Sequence, residues 1–195
     1  AIASAFAREG AKVVINYRNS KVAAETLAAN LGDGAVALRA DVQKADEVAQ
    51  MVRQAEADVG PISTVIHNAL ADYSFNGDAR STLDTMTADE MVSQHGTAVL
   101  GALNVIQATA PVMEAKGFGR IVTIGTNLVQ NPVVPYHDYT SAKAALLALT
   151  RTTAAELGPK GITVNMVSGG LLSTTDASAA TPPAVFDYIA GVTQL

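Results

Sequence analysis

Tyr139 and Lys143 stand four positions apart in the stretch Y-T-S-A-K, which follows a strand-like run, residues 120–125, and opens a helical pattern reaching residue 157. On an α-helix that spacing places two side chains on one face, one above the other, so an ammonium sits beside a phenol. A free phenol titrates near ~10 and exchanges protons poorly at neutral pH, and a nearby positive charge favours its ionised form. Tyr139 is therefore a candidate general acid/base with Lys143 lowering the phenol pKa. Any helix exposing an ordinary Tyr and Lys meets the same spacing, so the rest of the chain has to decide between the two readings.

The other chemistry-bearing residue types narrow the field. Cysteine is absent, and the histidines, His67, His95 and His137, are scattered, which removes disulfides and thiolate metal sites and leaves no metal motif. A net charge of −5 without a basic cluster argues against a nucleic-acid partner. A length of 195 residues, 49% of them hydrophobic and 16% charged, suits one domain with a sizeable core. Nothing reads as a signal peptide or as an apolar span long enough to cross a membrane, so the cytoplasm is the simplest location.

The elements that must position Tyr139 and Lys143 alternate along the chain. Residues 1–10 form an amphipathic helical pattern closed by Gly10. Residues 12–17 (KVVINY), 35–40, 63–67, 120–125 and 162–167 are short apolar runs that read as buried strands. Helices are expected over 20–31, over 45–59, from a capping box Thr87-Ala-Asp-Glu90 to residue 116, and from Tyr139 to residue 157. Residues 68–83 are a loop by composition. Strands separated by helices predict βαβ units and a doubly wound parallel sheet with helices on both faces, an α/β fold.

Several motifs fall in one order along nearly the whole chain: G-A-K-V-V-I-N-Y before Arg18, A-D-V at 40–42, H-N-A at 67–69, G-R-I-V-T-I-G at 119–125, Y-T-S-A-K-A-A at 139–145 and G-I-T-V-N-M-V at 161–167. In these the chain resembles the short-chain dehydrogenase/reductases, particularly bacterial 3-oxoacyl-acyl-carrier-protein reductases. The resemblance implies a Rossmann-like fold carrying a nicotinamide cofactor across the carboxyl ends of the strands, in a cytoplasmic enzyme that reduces a 3-oxoacyl group or small ketone to an alcohol. It assigns Tyr139 as proton donor, Lys143 as the group that lowers the phenol pKa and holds the nicotinamide ribose, and Thr126 in the place of the family's serine. Cofactor contacts fall on Tyr17, Arg18, Asp41, Val42, Asn68, Ala69, Gly170, Leu172 and Thr174, besides Tyr139 and Lys143. Arg18, where NAD enzymes usually carry an acid, favours NADP over NAD; a solvated surface arginine is the alternative.

The same resemblance marks departures. The family's relay asparagine falls at Ala98, whose side chain cannot hydrogen-bond; Gln94, one turn earlier on the same face, is a better substitute than Asn104, although an ordinary surface role for Gln94 is the commoner one. Asp138 is a candidate helix N-cap, and Asp41 a cap for the helix after it. Leu70 replaces a glycine, and Ser168-Gly169-Gly170 stands in place of a Pro-Gly turn. A glycine-rich turn and a first, central strand are expected before Ala1, and a further helix and strand after Leu195, so the single domain reads as incomplete at both ends, its sheet left with two facing unpaired edges. Small residues at 98, 101, 102, 144, 145 and 148 fit either core packing or the helix pairing of a dimer or homotetramer. A catalytically impaired member acting as a binding or assembly module is the alternative function.

Overall fold

The computed structural model describes residues 1–32, 34–71, 80–173 and 175–192. Twelve elements succeed one another: α1 (Ile2–Arg8), β1 (Val14–Tyr17), α2 (Lys21–Leu31), β2 (Val36–Arg39), α3 (Ala45–Asp58), β3 (Thr64–His67), α4 (Ala88–His95), α5 (Gly101–Lys116), β4 (Gly119–Thr126), α6 (His137–Leu157), β5 (Ile162–Gly169) and α7 (Pro183–Val192). Each strand pairing is parallel, as strands joined by helical crossovers require. Two ladders result, β1-β2 and β3-β4-β5. Among the described residues no ladder bonds join β1 to β3.

Within the larger ladder the register sets which side chains share a face. Val65 pairs with Ile121 and Ile121 with Val164. These three meet Ile106, Ala110 and Met113 of α5, Leu157 of α6 and Ile162 in one buried cluster. Met113, Ile121 and Ile162 are almost wholly enclosed, each contributing roughly 1.5–3 kcal/mol by burial. A second cluster, Val42, Val48 and Val52 with Met51, Ile62, Ala69, Val105 and Ala108 around them, seats α3 on α5 and ties the smaller ladder to the larger. The loop into β5 is closed by Gly161 at φ +80°, where an added Cβ would lie 2.1 Å from the Gly117 carbonyl oxygen. No side chain fits there.

Local rules locate the helix that carries most of the site's neighbours. Thr87 and Glu90 form the expected capping box: the Glu90 backbone N–H donates to the Thr87 hydroxyl, and the Thr87 N–H donates to the Glu90 carboxylate at 2.7 Å. The run to Lys116 is not one uniform helix, however, because residues Gly96–Leu100 form a π turn between α4 and α5. By length and hydropathy the 29-residue run could cross a membrane, contrary to the sequence expectation; half of its most apolar window is buried, since it serves as the core helix against α3, α6 and β4.

Three ends also differ from expectation. β4 continues through Thr126 and β5 through Gly169, which pair with each other, so Ser168 and Gly169 are strand rather than turn. α6 starts at His137, with Tyr136 at its N-cap position. Asp138 thus lies inside the first turn and does not cap the helix. α3 has Lys44 at its N-cap; Asp41 instead accepts from the Gln43 backbone N–H at 3.0 Å, and its own N–H donates to Glu47.

Candidate active site

The extended β4 and the early start of α6 bring three predicted residues together. Thr126 ends β4, and its hydroxyl hydrogen-bonds the Tyr139 hydroxyl while accepting from the Leu128 backbone N–H at 3.3 Å. Lys143, one turn beyond Tyr139, sends its ammonium along the ring face, 5.7 Å from the ring centroid, and donates to the Ile124 carbonyl at 2.7 Å. All three are buried. Tyr139 packs with Leu128 and Tyr136 in one buried cluster, which fixes the ring.

Their electrostatics depart from the sequence reading in one respect. Burial raises the Tyr139 phenol above its ordinary value, and the Thr126 hydrogen bond opposes this only in part. The Lys143 ammonium stands over the ring, 5.7 Å from its centroid, and burial is the largest influence on the phenol. Burial also acts on Lys143 itself and lowers its ammonium to about 8. At neutral pH the arrangement is a protonated phenol with a cation behind it, which is the state required of a proton donor.

The expected cofactor residues line up along one edge. Tyr17 closes β1 and Arg18 follows it; Asp41 and Val42 follow β2, Asn68 and Ala69 follow β3, and Gly170 and Leu172 follow β5. These are the carboxyl ends of parallel strands, where open α/β sheets hold ligands. Arg18 is half-buried, Asn68 and Leu172 are exposed, and Val42 is buried and accepts from the Asn104 amide at 2.8 Å through its carbonyl. Thr174 lies outside the described residues. A dinucleotide laid along this edge would meet Arg18 at one end and Tyr139 and Lys143 nearer the other.

The relay candidates are separated by the same geometry. Asn104 faces the segment after β2, as its spacing from Ala98 requires. Gln94 is 5% exposed, so the surface role is wrong: it shares the inward face of buried Ala98, one turn on. Ala98, Gly101 and Ala102 are buried inside the molecule, whereas Ala144 and Ala148 are exposed on α6.

Sequence reasoning missed two features. His67, at the end of β3, is buried and pushed down to about 4, by desolvation first and by the Lys143 charge second, while the Ala98 and Thr97 carbonyls act in the other direction. Arg80 forms a partly buried ion pair with Asp138, the residue before Tyr139. Fifty-eight residues separate the latter two, and no local pattern signals such a contact. A groove of about 620 Å³ is lined by residues including Val129, Pro132, Val133, His137, Thr140 and Ala144. It flanks α6 away from Tyr139 and Lys143, neither of which lines it.

Comparison with known proteins agrees with this geometry. The family model described as enoyl-(acyl carrier protein) reductase matches residues 1–193. A short-chain type dehydrogenase/reductase of Picea abies is 34% identical over 183 residues, 89% of this chain and 66% of its own length. A 3-oxoacyl-[acyl-carrier-protein] reductase of Synechocystis sp. is 32% identical over 180 residues, again 89% of the chain and 69% of the relative. The chain thus spans about two thirds of these relatives. The crystal structure of a gluconate 5-dehydrogenase from Burkholderia cenocepacia J2315, in complex with NADP and tartrate, superimposes with a TM-score of 0.85 at 29% identity, covering 97% of this chain and 73% of that one. With Tyr139, Lys143 and Thr126 gathered at the carboxyl edge of a parallel sheet, the chain belongs to the short-chain dehydrogenase/reductase family of oxidoreductases.

Proposed function

We propose that this protein is an NADP-dependent carbonyl reductase acting on a 3-oxoacyl group or a small ketone, with Tyr139 as proton donor. The observation that carries the reading is the hydroxyl pair Thr126–Tyr139 with the Lys143 ammonium behind the ring. A nicotinamide, when bound, supplies the hydride. Thr126 donates a hydrogen bond to the substrate carbonyl oxygen and orients it. Tyr139 transfers its proton to that oxygen as negative charge develops there, a favourable transfer because an alkoxide is far more basic than a phenolate. Lys143 stabilises the phenolate left behind and holds the nicotinamide ribose.

Arg18 is the contact for a 2′-phosphate, with Tyr17, Asp41, Val42, Asn68, Ala69, Gly170, Leu172 and Thr174 completing the cofactor set. The NADP held by the structural relative supports that choice by analogy. A single reductase domain, a cytoplasmic setting and assembly into a dimer or homotetramer belong to the same reading; exposed Val92 and Leu100 on the α4–α5 run and exposed Ala144 and Ala148 on α6 favour pairing through those helices. The test is NADPH oxidation by the intact protein with a panel of 3-oxoacyl thioesters and small ketones. Tyr139→Phe should cut turnover by about 10²–10⁴-fold with cofactor affinity retained. A protein that binds NADPH yet reduces no carbonyl, or a Tyr139→Phe variant with full turnover, would overturn the proposal.

A further inference from the structure

His67 is a buried titratable group for which the mechanism above has no use. It is 4% exposed, and its Nε2 makes no hydrogen bond among the described residues. Such an atom, enclosed by protein, requires a partner. Its surroundings say which partner is within reach. His67 pairs with Thr123 across the β3-β4 ladder, and the next residue of β4, Ile124, supplies the carbonyl that Lys143 holds at 2.7 Å. Neighbouring strands lie about 4.8 Å apart, so imidazole and ammonium share one small region at the sheet end. The Lys143 ammonium carries three N–H donors, of which the Ile124 carbonyl takes one.

The remaining neighbours fix the ring. From the π turn the Thr97 and Ala98 carbonyls face it. From α5, Gly101 packs so closely that an added Cβ would lie 3.2 Å from the His67 Cε1. From β4 it meets its register partner, Thr123, whose hydroxyl bonds the Thr150 hydroxyl at 2.9 Å. Lys143 on α6 is the charged group that acts on it. Nε2 is the nitrogen left without a partner, so the hydrogen bonds by which the two carbonyls raise the ring's titration fall to Nδ1, which donates when it carries the ring's proton. Nε2 is then a lone-pair acceptor next to a cation with donors to spare. π turns are found where helices are re-aimed around functional groups, and this one sets two carbonyls against an imidazole.

We propose that His67 is a positioning residue for Lys143: its neutral ring, anchored through Nδ1–H to the π-turn carbonyls, accepts through Nε2 a hydrogen bond from the Lys143 ammonium by way of one bridging water. The role rests on the reading that Lys143 serves Tyr139. Ala98 has no polar side-chain atom to perform this task, and the imidazole reaches the same ammonium from the neighbouring strand. With His67 neutral across the working pH range, the pairing stabilises charged Lys143, in opposition to its burial.

The experiment follows the Lys143 Nζ titration by NMR on lysine-labelled protein, assigned with Lys143→Met. His67→Leu removes the acceptor for the charged form, so the Lys143 titration should fall by about one unit, and the alkaline limb of turnover should move down with it. His67→Gln keeps an acceptor and should hold both near wild type. A Lys143 titration unmoved in folded His67→Leu overturns the proposal, since a purely structural role would lower stability without moving that limb. Should His67→Leu fail to fold, the ¹⁵N spectrum of the wild-type imidazole decides: a neutral ring protonated at Nδ1 with a hydrogen-bonded Nε2 supports the pairing, and the Nε2-protonated tautomer refutes it. Because the titration is read without turnover, full activity in Tyr139→Phe would remove the catalytic reading while the Lys143 shift still supported the His67 pairing.

Discussion

Replacing Lys143 with Met should make the protein more stable while destroying its activity. The ammonium is buried, and burial lowers it from 10.5 to about 8. At roughly 1.4 kcal/mol per pH unit, holding the charge inside the fold at neutral pH costs about 3 kcal/mol. Met fills nearly the same volume without charge, but the Ile124 carbonyl loses its 2.7 Å donor, an offset of about 1 kcal/mol. A net gain of roughly 2 kcal/mol at pH 7 is therefore expected. The dependence on pH is the sharper signature. Between about 8 and 10.5 the unfolded chain holds more protons at this site than the folded one, so wild-type stability rises with pH through that window. Lys143→Met lacks the rise, and its advantage should have vanished by pH 10.5. Urea unfolding of both proteins at pH 7, 8, 9 and 10.5, with equal m-values, measures this. A variant less stable than wild type at pH 7, or a difference flat across the window, would refute the argument that Lys143 is retained for chemistry at the expense of stability.

Two further perturbations probe the scaffold around the site. Glu90 is drawn down to about 2, first by the Ser81 hydroxyl and then by the Thr87 backbone and hydroxyl; stability from it should be present above 4.5 and lost as pH falls toward 2, and Glu90→Gln should lack that acid-side loss in chemical denaturation. In Gly101→Ala the new methyl would stand 2.7 Å from Val42 Cγ2, so a loss of about 1–3 kcal/mol is expected in urea unfolding, together with weaker NADPH binding if Val42 shapes the adenine end.

The strands were legible because each is a short, largely apolar run closed by glycine, proline or a polar residue, and the start of α4 because a capping box is a local bond pattern written into four residues. The Tyr139 and Lys143 spacing correctly gave a shared helix face. What spacing does not encode is the balance between burial and charge at the phenol: Lys143 reaches the ring face, and desolvation decides the direction. Gln94 was misjudged because a polar side chain gives no sign of which helix face packs inward, and no propensity at 96–100 marks the π turn that follows it. His67 and the Arg80–Asp138 pair were invisible for a different reason. Their partners lie on other strands and helices, so their significance exists only once the chain has folded.

The contacts between the segment after β2 and the α4–α5 run tie two parts of the molecule together through side chains. The Gln43 amide donates to the Thr97 hydroxyl at 3.1 Å and the Asn104 amide to the Val42 carbonyl at 2.8 Å. Those two amides act as rivets: one holds the π turn that packs against His67, the other the residues just after β2, so a displacement at either place is felt at the other.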